Sequence, residues 1–431
     1  MTATDSSQAS VTAERLMVVS ADGHAGPLLP GYRPFVESKH IGRFDEYVAM
    51  VDAYDGELAR TLAPTARDAT DTEDRYPFTT MAEERNRLSG LWDPDLRIRD
   101  MDTDGIAAEV VFPQGAIPFA SYPALADPRR PRISFGADDE VRCAGARIYN
   151  RWLADLSAAH PGRHAGIAVV PIRDVPAAVA EVHWARDAGL AGGISLPPIS
   201  LSGEYPMYND AVYEPFWAAC QDTEMPLNIH GGGDTPFYAG GPESIALILA
   251  ESDFWSRRAL PFLIFGGVFD RYPDLKVAIT ETRAGWVPSY FAMLDTIFHS
   301  HTTTMRHVLS KSPSEYFSSN CYVGASFMSK READMRHQTG VDRIMWGADY
   351  PHIEGAWPWT RQSMRKTFEG VPSHELRLMV GENAARCYNL DTDMLQKVAD
   401  RIGPTTAELA EPLDTIPSPY NWAFREEGDW N

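Results

Sequence analysis

Cysteine is scarce in this chain: 4 occur in 431 residues (Cys143, Cys220, Cys321 and Cys387), and no two are spaced as CxxC. That excludes a disulfide framework and a cysteine zinc knot, and the four read as buried thiols in a reducing compartment. No run of about 18 apolar residues occurs, so no helical membrane span is expected. Residues 1–14 lack both a basic and an apolar stretch, so they read as a disordered leader rather than a secretory signal, and the cytoplasm is the expected location. Basic residues are outnumbered, with 39 Lys plus Arg against 60 Asp plus Glu and a net charge of −21. A field of that sign repels polyphosphate, which argues against nucleic acid and against an anionic membrane as partner. An anionic small molecule stays possible, because a metal or a few arginines reverse the sign locally. There is no low-complexity tract and no internal repeat of a solenoid's period.

What the chain does have is an ordinary globular composition, 44% hydrophobic and 23% charged, enough for a sizeable core. Short apolar runs alternate with helical patterns. Strands are predicted at 16–20, 108–112, 166–171, 193–196, 226–229, 276–280, 321–324 and 343–346. Helices are predicted at 140–160, 175–188, 211–223, 255–271, 286–299, 329–339 and 362–369. Several strands are apolar on both faces (GIAVVP, VAIT, RIMW), as buried parallel strands are. Eight strands with intervening helices predict an α/β fold, a distorted (β/α)8 TIM barrel over residues 15–390. Residues 25–100 read as a polar, Pro-rich insertion after the first strand, with no clear helix before the second. A Gly-rich loop, 231–253, follows the fifth strand, and residues 391–431 read as a C-terminal arm carrying Trp422, Phe424 and Trp430.

Chemistry-bearing residues gather just past the strand ends, the catalytic face of such a barrel. Asp22 and His24 are two apart after the first strand, so an extended backbone points both to one side. His230 ends the fifth strand before Gly231-Gly232-Gly233, Glu281 follows the sixth, and Asp349 follows the eighth. Imidazole and carboxylate in this mixture suit a divalent transition metal with an open coordination position. Each feature is weak alone, and the combination at four strand ends is not.

These segments, ADGHAGP, NIHGGG, FDRYPDLKVAITETRAGWVPSYFAMLD and IMWGADYPHIEGAWP, resemble the amidohydrolase superfamily (amidohydrolase family 2). More narrowly they are similar to the branch of aminocarboxymuconate-semialdehyde decarboxylase and related metal-dependent hydrolases, over roughly residues 18–389 without the insertion. The resemblance implies one divalent metal at the barrel mouth, usually zinc, with manganese or another transition metal as the alternative. It places Asp22, His24, His230 and Asp349 as metal ligands, with Asp349 also the catalytic base. It also implies a homodimer. Many members carry HxH after the first strand where this chain has Asp22. At the sixth strand the histidine of the known decarboxylases is replaced by Glu281, which can ligate the metal, accept a proton or bind a polar leaving group.

Because that histidine is replaced, the expected function is hydrolysis of a C–N, C–O or C–C bond in a small organic acid or amide, aromatic acids included. Asp349 would take the proton of a metal-activated water and pass it to the leaving group, with His230 and Glu281 as further catalytic residues. The second reading is non-oxidative decarboxylation of a small aromatic or unsaturated carboxylic acid. A third is a binding barrel without catalysis. Candidate substrate contacts are Arg283, Arg173, His352 and Trp286, since a guanidinium fork fits a carboxylate. Trp357 and Phe237 are further pocket candidates. His160, His164 and His183 read as structural, and the His299, His301 and His307 cluster is placed off the catalytic face.

Overall fold

The computed structural model describes residues 14–66, 89–114, 117–120, 139–197, 199, 203, 205–232, 243–352, 354–417 and 424. Within these, eight parallel strands run in chain order around a barrel. They are β1 (Val18–Ser20), β3 (Ile106–Pro113), β4 (His164–Val169), β5 (Gly193–Ser195), β6 (Leu227–His230), β7 (Val277–Thr280), β8 (Cys321–Ser326) and β9 (Ile344–Gly347). A short extra strand, β2 (His24–Ala25), continues past β1 and pairs with the end of β3 through His24 and Phe112. The last strand meets the first through backbone bonds. Ala21 N–H donates to Trp346 O at 2.9 Å, Asp349 N–H to Asp22 O at 3.1 Å, and His24 N–H to Tyr350 O at 2.7 Å.

Strand side chains alternate between two apolar layers, as the two-residue period of an extended chain requires. Ala278, Tyr322 and Met345 belong to the layer that fills the barrel, whereas Val277, Ile279, Val323 and Ile344 belong to the layer under the helices. Small interior residues such as Ala107, Ala165 and Ala278 let Tyr322 and Tyr388 fit among them. Tyr388 donates its hydroxyl to Asn228 Oδ1 at 2.8 Å, satisfying a polar group that would otherwise be stranded in the interior. The helix Thr392–Ile402 buries Leu395, Val398 and Ala399 against the same layer.

The segment between β1 and β3 is more ordered than its composition suggests. It contains a 3-10 stretch, Leu29–Phe35, and the helices Ile41–Ala66 and Pro94–Asp104. The second of these supplies the helix that the sequence pattern lacks before β3. Its end signals are present: the Asp93 side chain accepts from the backbone of Asp95 and Leu96, Pro94 opens the helix, and Gly105 at φ 82° ends it. Its apolar stripe is broken because Arg97 and Asp104 are among its buried residues. All four cysteines are buried and free. No helix among the described residues is long and apolar enough to cross a membrane.

Candidate metal centre

The strand ends bring Asp22, His24, His230, Glu281 and Asp349 to one place at the mouth of the barrel. β2 keeps the chain extended past Asp22, so His24 Nε2 lies 3.4 Å from Asp22 Oδ1. His230 closes β6, and its Nε2 is also 3.4 Å from Asp22 Oδ1. His24 Nε2 lies 3.2 Å from Asp349 Oδ1, and His230 Nδ1 is 3.2 Å from Glu281 Oε2. Close strand approach makes this possible. A side chain at Gly231 would put its Cβ 2.2 Å from Glu281 O, and one at Gly347 would put it 2.7 Å from Asp22 Cβ.

Two of the carboxylates stand on strained backbone. Glu281 has φ 57° and Asp349 φ 54°, in the left-handed region that costs a non-glycine residue about 1 kcal/mol or more. Arg283 and Phe327 share it at φ 56° and 57°. Strained conformations clustered at one mouth are held by the packing around them and aim the side chains inward.

The histidine tautomers follow from their outer partners. His24 Nδ1 lies 3.3 Å from Pro113 O, and His230 Nδ1 lies 2.8 Å from Gly231 O. A carbonyl only accepts, so each Nδ1 carries the hydrogen and donates it. Each Nε2 then turns a lone pair toward carboxylate oxygens. Asp22 Oδ1, His24 Nε2, His230 Nε2 and both oxygens of Asp349 are buried and make no hydrogen bond. Buried lone pairs facing one another are costly unless a cation or a proton stands among them. Spacings of 3.2–3.4 Å match the edges of a coordination shell with bonds of about 2.1 Å, so these residues fit a divalent cation.

The electrostatics of the protein alone agree. Burial would raise the Asp22 carboxyl, but the adjoining imidazoles of His230 and His24 outweigh it and hold the group well below the usual carboxylate range. Burial would lower His24, yet Asp22 and Asp349 push it well above the usual imidazole value. The Glu281 carboxyl is pushed well up by burial, with the Asp349 and Asp22 charges adding to it.

Around this centre lie residues that sequence patterns did not single out. Ser326 donates its hydroxyl to Asp22 Oδ2, and Ser20 Oγ accepts from Ala348 N–H at 2.8 Å. The Arg97 guanidinium, fully buried, forks onto both oxygens of Glu109 and donates to His24 O at 2.7 Å and Gly90 O at 3.2 Å. Burial would raise Glu109, but Arg97, with His164, holds it at about 2. Gln114 Oε1 meets His352 Nε2 at 3.0 Å. Glu354 also joins the mouth, as one of four side chains with Glu281, Asp349 and His352 whose ligand atoms all lie within 4.8 Å of one another. These residues are common types drawn from separate segments, and only the fold assembles them.

The remaining candidates divide. His352 is in place, its Nδ1 at 2.8 Å from Asp349 Oδ1 and its ring stacked on His24 at 4.2 Å. Trp286 is buried beside Tyr290, with Arg257 over its ring. Arg283 exerts its charge on Asp253. Arg173 is engaged with Asp139 at 3.4 Å. Trp357 packs on Tyr350. Phe237, Trp422 and Trp430 lie outside the described residues. His299, His301 and His307 are exposed and belong to none of the metal-compatible clusters among the described residues. His164 is buried against Glu109, His160 pairs with Asp95, and His183 is exposed.

Residues 91–390 match the model of a family described as Amidohydrolase. Gamma-resorcylate decarboxylase of Polaromonas sp. is 27% identical over 308 residues, which span 68% of this chain and 88% of that enzyme. 2-Amino-3-carboxymuconate-6-semialdehyde decarboxylase of Dictyostelium discoideum is 23% identical over 61% of this chain and 68% of its own length. Among solved structures, a dihydroxybenzoic acid decarboxylase of Polaromonas sp. JS666, with bound manganese and the inhibitor 2-nitroresorcinol, has the same fold. It aligns with a TM-score of 0.57 and 19% identity over 86% of this chain and 96% of its own.

Proposed function

The chain belongs to the amidohydrolase family, in the branch of the carboxymuconate-semialdehyde decarboxylases, and from that premise we propose that it decarboxylates a small aromatic acid without oxidation. The observation that carries the reading is the set of buried, unbonded donor atoms at the mouth: those of Asp22, His24 and His230 all lie within 4.8 Å of one another, and Asp349 Oδ1 adjoins them 3.2 Å from His24 Nε2. The relatives named for this chemistry act on hydroxylated aromatic or unsaturated acids, which moves decarboxylation ahead of the hydrolysis that the Glu281 replacement suggested. Replacing one imidazole by a carboxylate changes the charge of the mouth and leaves the four converging ligands in place.

Asp22, His24, His230 and Asp349 are the residues that would hold a divalent cation. When bound, such a cation anchors anionic oxygens of the substrate and draws electron density from them. Manganese, held by the Polaromonas sp. JS666 relative, is the first metal to try and zinc the second. Asp349 moves the proton. Its Oδ1 faces His24 and His352, while Oδ2 has no hydrogen bond and is the position from which a proton can leave. That proton goes to the ring carbon bearing the carboxylate, forming a C–H bond. The C–C bond to the carboxylate then breaks, its electron pair returns to the ring, and carbon dioxide departs. Solvent restores the proton once product has left. Arg283 and Trp286, on the loop past β7, are the proposed contacts for a further carboxylate or hydroxyl and for the ring.

The test is turnover of dihydroxybenzoates by the metal-loaded chain in heavy-oxygen water and, separately, in deuterium oxide. Carbon dioxide release, one deuterium at the vacated ring carbon and no solvent oxygen in the aromatic product are expected. Solvent oxygen in the product would return the assignment to hydrolysis.

A further inference from the structure

One buried carboxylate grips the loop past β7 from behind. Glu332, 3% exposed, accepts Ala284 N–H at 2.6 Å and Gly285 N–H at 2.9 Å on Oε1. Its Oε2 accepts Ser329 N–H at 2.9 Å and the Ser329 hydroxyl at 3.1 Å. The second pair belongs to the capping box of the helix Lys330–Asp334, in which a glutamate in the first turn reaches back to the residue before the helix. A capping box needs only one of the glutamate's oxygens. The other goes to a loop 47 residues away, so one side chain ties the turn after β7 to the turn after β8.

Both turns need holding. Glu281 and Arg283 in the first and Phe327 in the second have φ of 57°, 56° and 57°, conformations that persist only where neighbours fix them. Glu281 is fixed from β8, its N–H donating to Gly324 O at 3.0 Å. The amides of Ala284 and Gly285 are fixed by Glu332, and they lie directly between Arg283 and Trp286, the two side chains assigned above to the substrate. Hydrogen bonds from N–H groups to a carboxylate are stronger than neutral ones, and burial keeps water from competing for them. Glu332 itself belongs to none of the metal-compatible clusters among the described residues.

We propose that Glu332 is a positioning residue for substrate binding: by joining the turn past β7 to the turn past β8, it sets the pose of Arg283 and Trp286 against the aromatic acid. This rests on those two residues being substrate contacts, as assigned above. Glu332 acts through the loop and not on the cation, so its loss should weaken binding of the acid and leave Asp22, His24, His230 and Asp349 as they are.

The experiment compares two full-length variants that weaken the same helix start. Ser329→Ala deletes the capping hydroxyl and keeps the bonds to Ala284 and Gly285, whereas Glu332→Ala deletes both. With dihydroxybenzoate as substrate, Glu332→Ala should raise KM about tenfold or more, with kcat and manganese affinity close to wild type, and Ser329→Ala should leave KM unchanged. Hydrogen exchange at the Ala284 and Gly285 amides should quicken about tenfold or more in Glu332→Ala alone. Should circular dichroism show that Glu332→Ala does not fold, Glu332→Gln, which keeps one acceptor oxygen, should give the same KM rise to a smaller degree. An unchanged KM, an equal rise in both variants, or a loss of manganese affinity alongside the KM rise would overturn the proposal. Failure of the decarboxylase reading looks different, since wild type would then release no carbon dioxide. The clamp is in that case judged on amide exchange, where equal rates in wild type and Glu332→Ala would overturn it.

Discussion

Two clusters of buried ionisable groups touch each other in this barrel and differ in one respect. In the first, Arg97, Glu109 and His164, the guanidinium fork is used on both Glu109 oxygens and two backbone carbonyls, and only His164 Nε2 lacks a hydrogen bond. In the second, around Asp22 and Asp349, the inward atoms are unbonded although they lie as close together. Both clusters are buried and charged, and one backbone carbonyl, that of His24, joins them. Burial and charge therefore do not identify a functional centre. Several unmatched lone pairs facing one another do, because such a group is costly unless something else completes it.

The difference is broken most sharply at Asp349. Asp349→Asn should cut turnover about 10³-fold or more, with a thermal midpoint at least as high as wild type, because it removes a buried carboxylate neither oxygen of which is hydrogen-bonded. Kinetics and calorimetry on one preparation check both halves. The opposite pattern is expected at Arg97. Arg97→Met leaves Glu109 buried with His164 as its one remaining side-chain partner, and should cost about 3–5 kcal/mol in a denaturant titration. A variant that kept its stability would show that the network is not what holds the His24 segment.

Ser326→Ala tests the border between the two behaviours. It deletes one donor to Asp22, so metal affinity should weaken by about 10- to 100-fold while the unfolding midpoint barely moves. Competition with a chromophoric chelator reads the affinity. The last effect concerns another buried carboxylate, Asp104, held by Thr360 Oγ1 at 2.6 Å and pushed by burial from 3.8 to about 7. Below pH 3.8 it is protonated whether folded or not. Between that value and about 7 the unfolded chain ionises while the folded one resists, so stability falls as pH rises, by about 4 kcal/mol in all. Asp104→Asn should remove that slope, and urea midpoints across the range would show a persisting slope if another group is responsible.

The barrel was legible because each strand is a short run, apolar on both faces, bounded by Gly, Pro or a helical pattern. All eight predicted runs overlap observed strands, from residues 16–20 on β1 to 343–346 on β9. The candidate site residues were legible for a related reason. Asp22, His24, His230, Glu281 and Asp349 are chemically distinctive residues placed directly at the ends of those runs. The helix Pro94–Asp104 was not legible, since an arginine and an aspartate on its buried side erase the apolar period, and the reason for burying Arg97 lies on β3. Ser326 was hidden by distance, 304 residues from the aspartate it serves. Glu354 and Gln114 gain meaning only once loops from different strands face one another.

The join between β1 and β9 carries a consequence for how the molecule comes into being. Its backbone bonds run from Ala21 to Trp346, from Asp349 to Asp22 and from His24 to Tyr350, so the residues that would grip the cation also sew the first strand to the last. A ribosome has made most of the chain before the second half of that grip exists. A growing chain has only a carboxylate and an imidazole near its start, too few ligands to retain an ion. The full set of Asp22, His24, His230 and Asp349 therefore comes together only with the final circularisation of the sheet. An ion held there acts as a clasp on the most sequence-distant contact in the barrel, and hydrogen exchange at Ala21, His24 and Asp349 should slow when the metal is added.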